Sequence, residues 1–356
     1  MGDESAPPRR PISEVAVLLF IGVAVGVGLL TMAFLRARGE VGQFFDRGDA
    51  RMYWLTARDL FGTGRGFAAL GRGSEVPYRY GRVGLPLLGW VLACGQPHLV
   101  GPTLLVVNVF ALAAVPALSA VLIDEYGGNP VRAVIVLLVP GLLVLTVNVV
   151  AEPLLIATIL FAYVLDRSGR FVWARCVMAY AILVKEIAVL ALLPWLWRAA
   201  RDRDRAALQG LVATVMPYAA WCVWLRLRVG EFPFRAHTDN RTDALSLPFV
   251  GLRDVGALGG PDTRTIVAIV LLTVVFGAFA AWVARDTQLG LLAAAFALPS
   301  ICLGVQALRF EGETLRLLAV PQVFAVVALA AMLSGPNRLA RRRARDTEGR
   351  HVDAPS

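Results

Sequence analysis

Long apolar runs separated by short clusters of charge set the class of this chain. Val15 to Leu35, Val100 to Ile123, Ile266 to Val283 and Leu317 to Leu333 are each near the roughly 20 residues that carry a helix across a hydrocarbon core. Backbone polar groups in lipid are satisfied only by helices or closed barrels, so these runs predict spanning helices. The same reading of the shorter runs gives about ten spans, at 14 to 35, 99 to 123, 131 to 149, 153 to 166, 171 to 184, 187 to 199, 207 to 225, 265 to 284, 288 to 307 and 317 to 334. The expected fold class is therefore all-α, a polytopic transmembrane helical protein. Val83 to Ala93 is too short to cross and is read as a re-entrant or interfacial helix. Residues 1–335 are expected to form one transmembrane unit, and 336–356 a basic, disordered cytoplasmic tail.

Composition agrees: 57% of residues are hydrophobic and only 17% charged, more apolar side chain than a soluble domain of this size buries. The formal charge of +9 raises the question of nucleic acid, but the arginines lie between apolar runs and form no basic domain, so no nucleic-acid partner is expected. Basic clusters orient the chain. The tail arginines 338, 341, 342, 343 and 345, the group Arg198 to Arg205, the group Arg167, Arg170 and Arg175, and the pair Arg9 and Arg10 all fall on one side, which places both termini in the cytoplasm. A rival topology, with 83–97 crossing and 171–199 as one helix, also leaves the tail inside but puts Arg132, Arg167, Arg170 and Arg175 outside. The first run has no small-residue cleavage site after it and reads as a retained anchor. Arginine supplies all but one of the 35 basic side chains, a bias associated with a GC-rich bacterial genome, so the bacterial plasma membrane is the expected location. The four cysteines, in apolar segments without CxxC spacing, are read as packing residues.

Under this topology the external face holds two long loops and three short turns, and candidate chemistry collects there. Phe44 to Asp49 leads into Ala50, Tyr53, Trp54, Ala57, Leu60 and Phe61 at helical spacing, which predicts an amphipathic helix on the membrane surface with Asp49 at its head, next to Tyr53. Asp49 is either a helix cap or a catalytic base, and Asp46 is the alternative base. In the same loop, Arg79 and Arg82 flanked by Tyr78 and Tyr80 form either a phosphate clamp with a ring-lined pocket or an aromatic belt with snorkelling arginines. Asn148 and Glu152 meet at a helix junction, where a carboxylate in an apolar setting needs a partner or a task; the positive end of the helix opening at Pro153 is one such partner. Lys185, the single lysine, and Glu186 interrupt an apolar run. They are either an ion pair or, for Lys185, a phosphate ligand. Glu313 and Arg316 close the last external turn and either pair with each other or bind substrate.

The three histidines are scattered, so neither a metal-ligand cluster nor a nucleophilic triad is expected, and no nucleotide-binding motif is present. A sugar or phosphoryl donor would therefore have to come from the membrane.

In order and side, these residues resemble the GT-C superfamily of polyprenyl-phosphate-sugar-dependent glycosyltransferases, particularly bacterial mannosyltransferase-like members. The match rests on Gly48-Asp49-Ala50-Arg51-Met52-Tyr53, the Tyr78 to Pro86 entry to a short helix, Asn148 and Glu152 after the third span, Lys185 between two short helices, and the Glu313 and Arg316 turn. Gly81-Arg82 stands where that family often has a Pro-Pro pair. The resemblance implies a GT-C-like membrane fold and inverting transfer of a sugar, mannose as the leading choice, from a polyprenyl phosphate to an extracytoplasmic glycan, lipid or protein. Asp49 would be the base. Lys185, Arg316 and either Arg79 or Arg82 would meet the phosphate. No cofactor is implied and no divalent metal is required by these residues. The alternatives are a lipid or polysaccharide transporter or flippase, and a polysaccharide polymerase or ligase.

Overall fold

The computed structural model describes residues 13–38, 45, 48–62, 75–146, 149–233, 247–258, 262–308 and 311–333, and among them the architecture is all-helical with no β-strand. In chain order the helices are α1 (Glu14–Arg38), α2 (Gly48–Arg58), α3 (Glu75–Gly81), α4 (Gly84–Leu92), α5 (Val100–Glu125), a 3-10 segment Pro130–Leu138, α6 (Pro140–Leu145), α7 (Glu152–Arg167), α8 (Phe171–Val184), a 3-10 segment Glu186–Leu192, α9 (Leu193–Arg201), α10 (Arg205–Val229), α11 (Val250–Leu258), α12 (Thr263–Val283), α13 (Gln288–Ala297), a 3-10 segment Leu298–Cys302, α14 (Val305–Leu308) and α15 (Glu311–Met332).

Five of them, α1, α5, α10, α12 and α15, are long and apolar enough to cross a membrane. α5 and α15 form the centre, with 67% of their most apolar windows buried against 11% for α1. α1 leans on α5, while α7 and α8 pack together beside it. The outer faces of α1, α10 and α12 leave Leu18, Leu29, Val212, Leu227, Leu272 and Trp282 exposed, a surface suited to lipid contact.

Three of the expected continuous spans are broken. The run at 131–149 divides into a 3-10 segment and α6, the run at 187–199 into a 3-10 segment and α9, and the run at 288–307 into α13, a 3-10 segment and α14. Prolines account for the breaks, since Pro140, Pro194 and Pro299 each stand at the first or second position of a new element, where a missing N–H and fixed φ favour a start. α4 has nine residues, about 14 Å at 1.5 Å per residue, and is too short to cross.

Two glycines set how closely the site-bearing elements approach. A Cβ on Gly84 would lie 2.5 Å from the Val184 nitrogen, so the head of α4 rests on the chain just before Lys185; the Tyr180 hydroxyl donates to the Gly84 carbonyl at 2.9 Å. A Cβ on Gly141 would lie 2.3 Å from the Leu315 carbonyl oxygen, next to Arg316. Gly84→Ala should therefore push α4 off α8 and lower stability by about 1–3 kcal/mol, the cost of overpacking. Gly26→Ala, with nothing within 4 Å of the added carbon, should leave the melting temperature in detergent unchanged.

Candidate functional site

α2 differs from the membrane-surface helix expected. Its apolar side packs inward on α4 and α5, burying Ala50, Tyr53, Ala57 and Leu60, while Phe61 is 51% exposed. This inward packing carries Asp49, in the first turn of α2, into the protein with its side chain 13% exposed. One Asp49 oxygen is held by Arg79 Nη1, and the other receives Arg316 Nη1 at 2.8 Å.

Arg316 is the hub. Besides Asp49 it reaches Glu313 Oε2 through Nη2 at 2.6 Å and faces Glu152 Oε1 from Nε at 3.6 Å. The second distance is too long for a hydrogen bond and is an electrostatic contact. Glu152, 1% exposed, opens α7 and accepts from Lys185 Nζ at 2.8 Å. Its other oxygen, Oε2, is buried with no hydrogen-bond partner among the described residues. Arg82 forks onto Glu186 at 3.2 and 2.8 Å. Four cations and four carboxylates thus gather where the starts of α2, α7 and α15 meet the ends of α3 and α8. Lys185 and Glu186 do not pair with each other as the sequence allowed; Lys185 is extended at φ −159° and ψ 127°, so successive side chains leave in opposite directions.

Glu313 and Arg316 lie in α15, which begins at Glu311, and not in a loop. Arg79 and Tyr80 are also helical, in α3. Tyr80 is fully buried, donates its hydroxyl to the Asp59 carbonyl at 2.9 Å, and accepts on its own carbonyl from Trp221 Nε1 at 2.7 Å. These two bonds hold α3 in place. Tyr53 is buried within electrostatic range of Asp49, Arg82, Glu152 and Arg316. Asp46 and Asn148 lie outside the described residues. Cys94 and Cys176 are exposed, contrary to the packing role expected of them, while Cys222 is buried.

Burial alone would raise the Asp49 pKa; Arg316, then Arg79, Arg82 and Lys185, outweigh it and hold the carboxyl well below its usual range. Ionised Asp49 therefore supports the fold at every pH above the ordinary carboxylate range, and that support is lost only as pH falls through the depressed value. The Tyr53 phenol is shifted the other way, first by burial and then by the Asp49 charge, and stays protonated. Among the described residues no three His, Cys, Asp or Glu side chains converge as metal ligands.

Asp59, Asp166, Gly84 and Gly141 are further positions that the structure brings into play. Asp166 carried a readable signal, a carboxylate at the end of the apolar run Leu154 to Leu165. The chain matches no protein-family model, no curated protein and no solved structure.

Proposed function

We propose that the chain is a membrane glycosyltransferase that moves a sugar, mannose as the leading choice, from a polyprenyl-phosphate donor to an extracytoplasmic acceptor by inversion, within a GT-C-like fold of about ten crossings. On this reading the broken segments count as crossings, and the charged cluster faces outward because the arginine groups lie at the other ends of α7 and α8.

The observation that carries the proposal is the convergence of Arg79, Arg82, Lys185 and Arg316 around Asp49. A phosphodiester entering this cluster offers the cations a new partner. The acceptor hydroxyl attacks the anomeric carbon as Asp49 removes its proton. The bond from that carbon to the phosphate oxygen breaks, and polyprenyl phosphate leaves with one more negative charge, which the same cations stabilise in a partly dehydrated site. The unpartnered Glu152 Oε2 is an acceptor for a sugar hydroxyl.

The ion pairs also require that donor binding activate the base. An Asp49 clamped by two guanidinium groups is a weak base, and phosphate that draws Arg79 and Arg316 away raises its pKa. Since kcat/KM reports the free enzyme and kcat the donor complex, Asp49 should contribute no acid limb to kcat/KM between about pH 5 and 8, while kcat should bend downward on the acid side at a higher pH. Coincident acid limbs would refute this coupling.

The proposal itself is tested with purified protein in liposomes containing polyprenyl-phosphate mannose and a saccharide acceptor. Release of polyprenyl phosphate with labelled product is expected, and none with a nucleotide sugar as donor. Movement of the intact lipid-linked sugar across the bilayer without its consumption would instead establish a flippase.

A further inference from the structure

At the other end of α7, about 21 Å from Glu152 at 1.5 Å per residue, a small cavity opens between α7, α8, α9 and α10. Asp166, Arg175, Trp195, Arg198, Ala207 and Leu211 are among its lining residues. Arg198 and Asp166 occupy each other through a two-pronged pair at 3.1 and 2.9 Å, so neither is the odd group.

Arg175 is. It is half-buried, and the described structure gives it no hydrogen bond or ion pair. Its seat is built: a Cβ on Gly210 would lie 2.1 Å from Arg175 Nη1, so glycine in α10 is what lets the guanidinium settle against that helix. A second donor stands in the same wall, because Trp195 is 4% exposed and its Nε1–H is buried without an acceptor among the described residues. Leaving the buried Trp195 donor unmet costs stability, which an incoming acceptor would restore. Around the opening, Phe171, Trp173, Leu196 and Trp197 are exposed, the aromatic and aliphatic girdle of a membrane–water boundary. Arg167 lies over the Tyr126 ring at 4.8 Å, and Arg170 is exposed nearby.

We infer that this cavity is a second phosphate site, distinct from the charged cluster at the other end of α7, and that it takes the phosphate of an anionic lipid headgroup. One phosphate oxygen enters toward Arg175 and Trp195, while the acyl chains lie along the exposed faces of α8 and α9. A guanidinium is suited to phosphate recognition, and the cavity, about 30 Å³, admits one oxygen and leaves the glycerol outside. Lipid binding here would brace the starts of α8 and α10 and require nothing of the opposite site.

The test is a titration of the purified full chain with phosphatidylglycerol, read by native mass spectrometry, with inorganic phosphate as competitor. Arg175→Gln should weaken lipid retention by about ten-fold, the lower end for losing a charged hydrogen bond. Trp195→Phe, which keeps a ring beside Tyr163, should weaken it by about three-fold or more. Arg170→Gln, the control for diffuse attraction to a basic surface, should change it less than about two-fold. Parental retention in Arg175→Gln, or an equal loss in Arg170→Gln, would overturn the site. If Arg175-dependent binding is displaced by millimolar inorganic phosphate, the phosphate chemistry stands and its source is a soluble oxyanion, not a lipid.

Discussion

Asp49→Asn is expected to cut sugar transfer by at least about 100-fold, the lower end for a lost general base, while the protein still folds and binds donor at least as tightly as the parent. The amide cannot accept a proton near neutral pH. Folding survives because Arg316 keeps Glu313 at 2.6 Å and Glu152 at 3.6 Å. Donor binding holds or improves because the carboxylate that competed with phosphate for Arg79 and Arg316 has gone. Turnover and equilibrium donor binding on the same preparation separate these effects. Near-parental turnover in Asp49→Asn together with a dead Asp46→Asn would move the base to Asp46; activity in both would remove the centre of the proposed mechanism.

Glu152→Gln is expected to be the most damaging single change to stability in the cluster, at about 3–5 kcal/mol, the range for breaking a buried ion pair. Among the described residues it leaves Lys185, 7% exposed, with no carboxylate at contact distance, and strips Arg316 of one of its three carboxylate neighbours. The cost arises from the stranded ammonium more than from a lost attraction, so adding Lys185→Met should recover part of the melting temperature. A double variant no more stable than Glu152→Gln would show that the damage comes from elsewhere, such as the head of α7.

Which residues matter was more legible in the sequence than how they pair. Glu152 and Lys185 stand out because a charge inside an apolar stretch must have a partner or a task, and they prove to be partners for each other. What concealed this is backbone geometry: an extended residue at 185 turns neighbouring side chains apart, and no composition reports it. The α7 and α8 boundaries were readable within a residue or so, because Pro153 opens one and Ser168 to Arg170 separate them. The breaks at Pro140, Pro194 and Pro299 were missed because apolar character is the same in α and 3-10 segments; the prolines were the available signal. α2 is amphipathic as its spacing indicates, but its apolar side is covered by α4 and α5, since periodicity locates an apolar face and not what covers it. Distance in sequence hid the Arg82 and Glu186 pair, whose members lie 104 residues apart.

The hub position of Arg316 has a consequence for biogenesis. During synthesis Asp49 and Glu152 enter the translocation machinery long before their shared cation, which arrives only with the last described helix. Lys185 follows Glu152 by 33 residues, so that carboxylate has a provisional neutraliser early. The clamp on Asp49 must wait for α15. A nascent chain stalled before residue 316 therefore has Arg79 to set against Asp49 but lacks Arg316, the larger of its counter-charges.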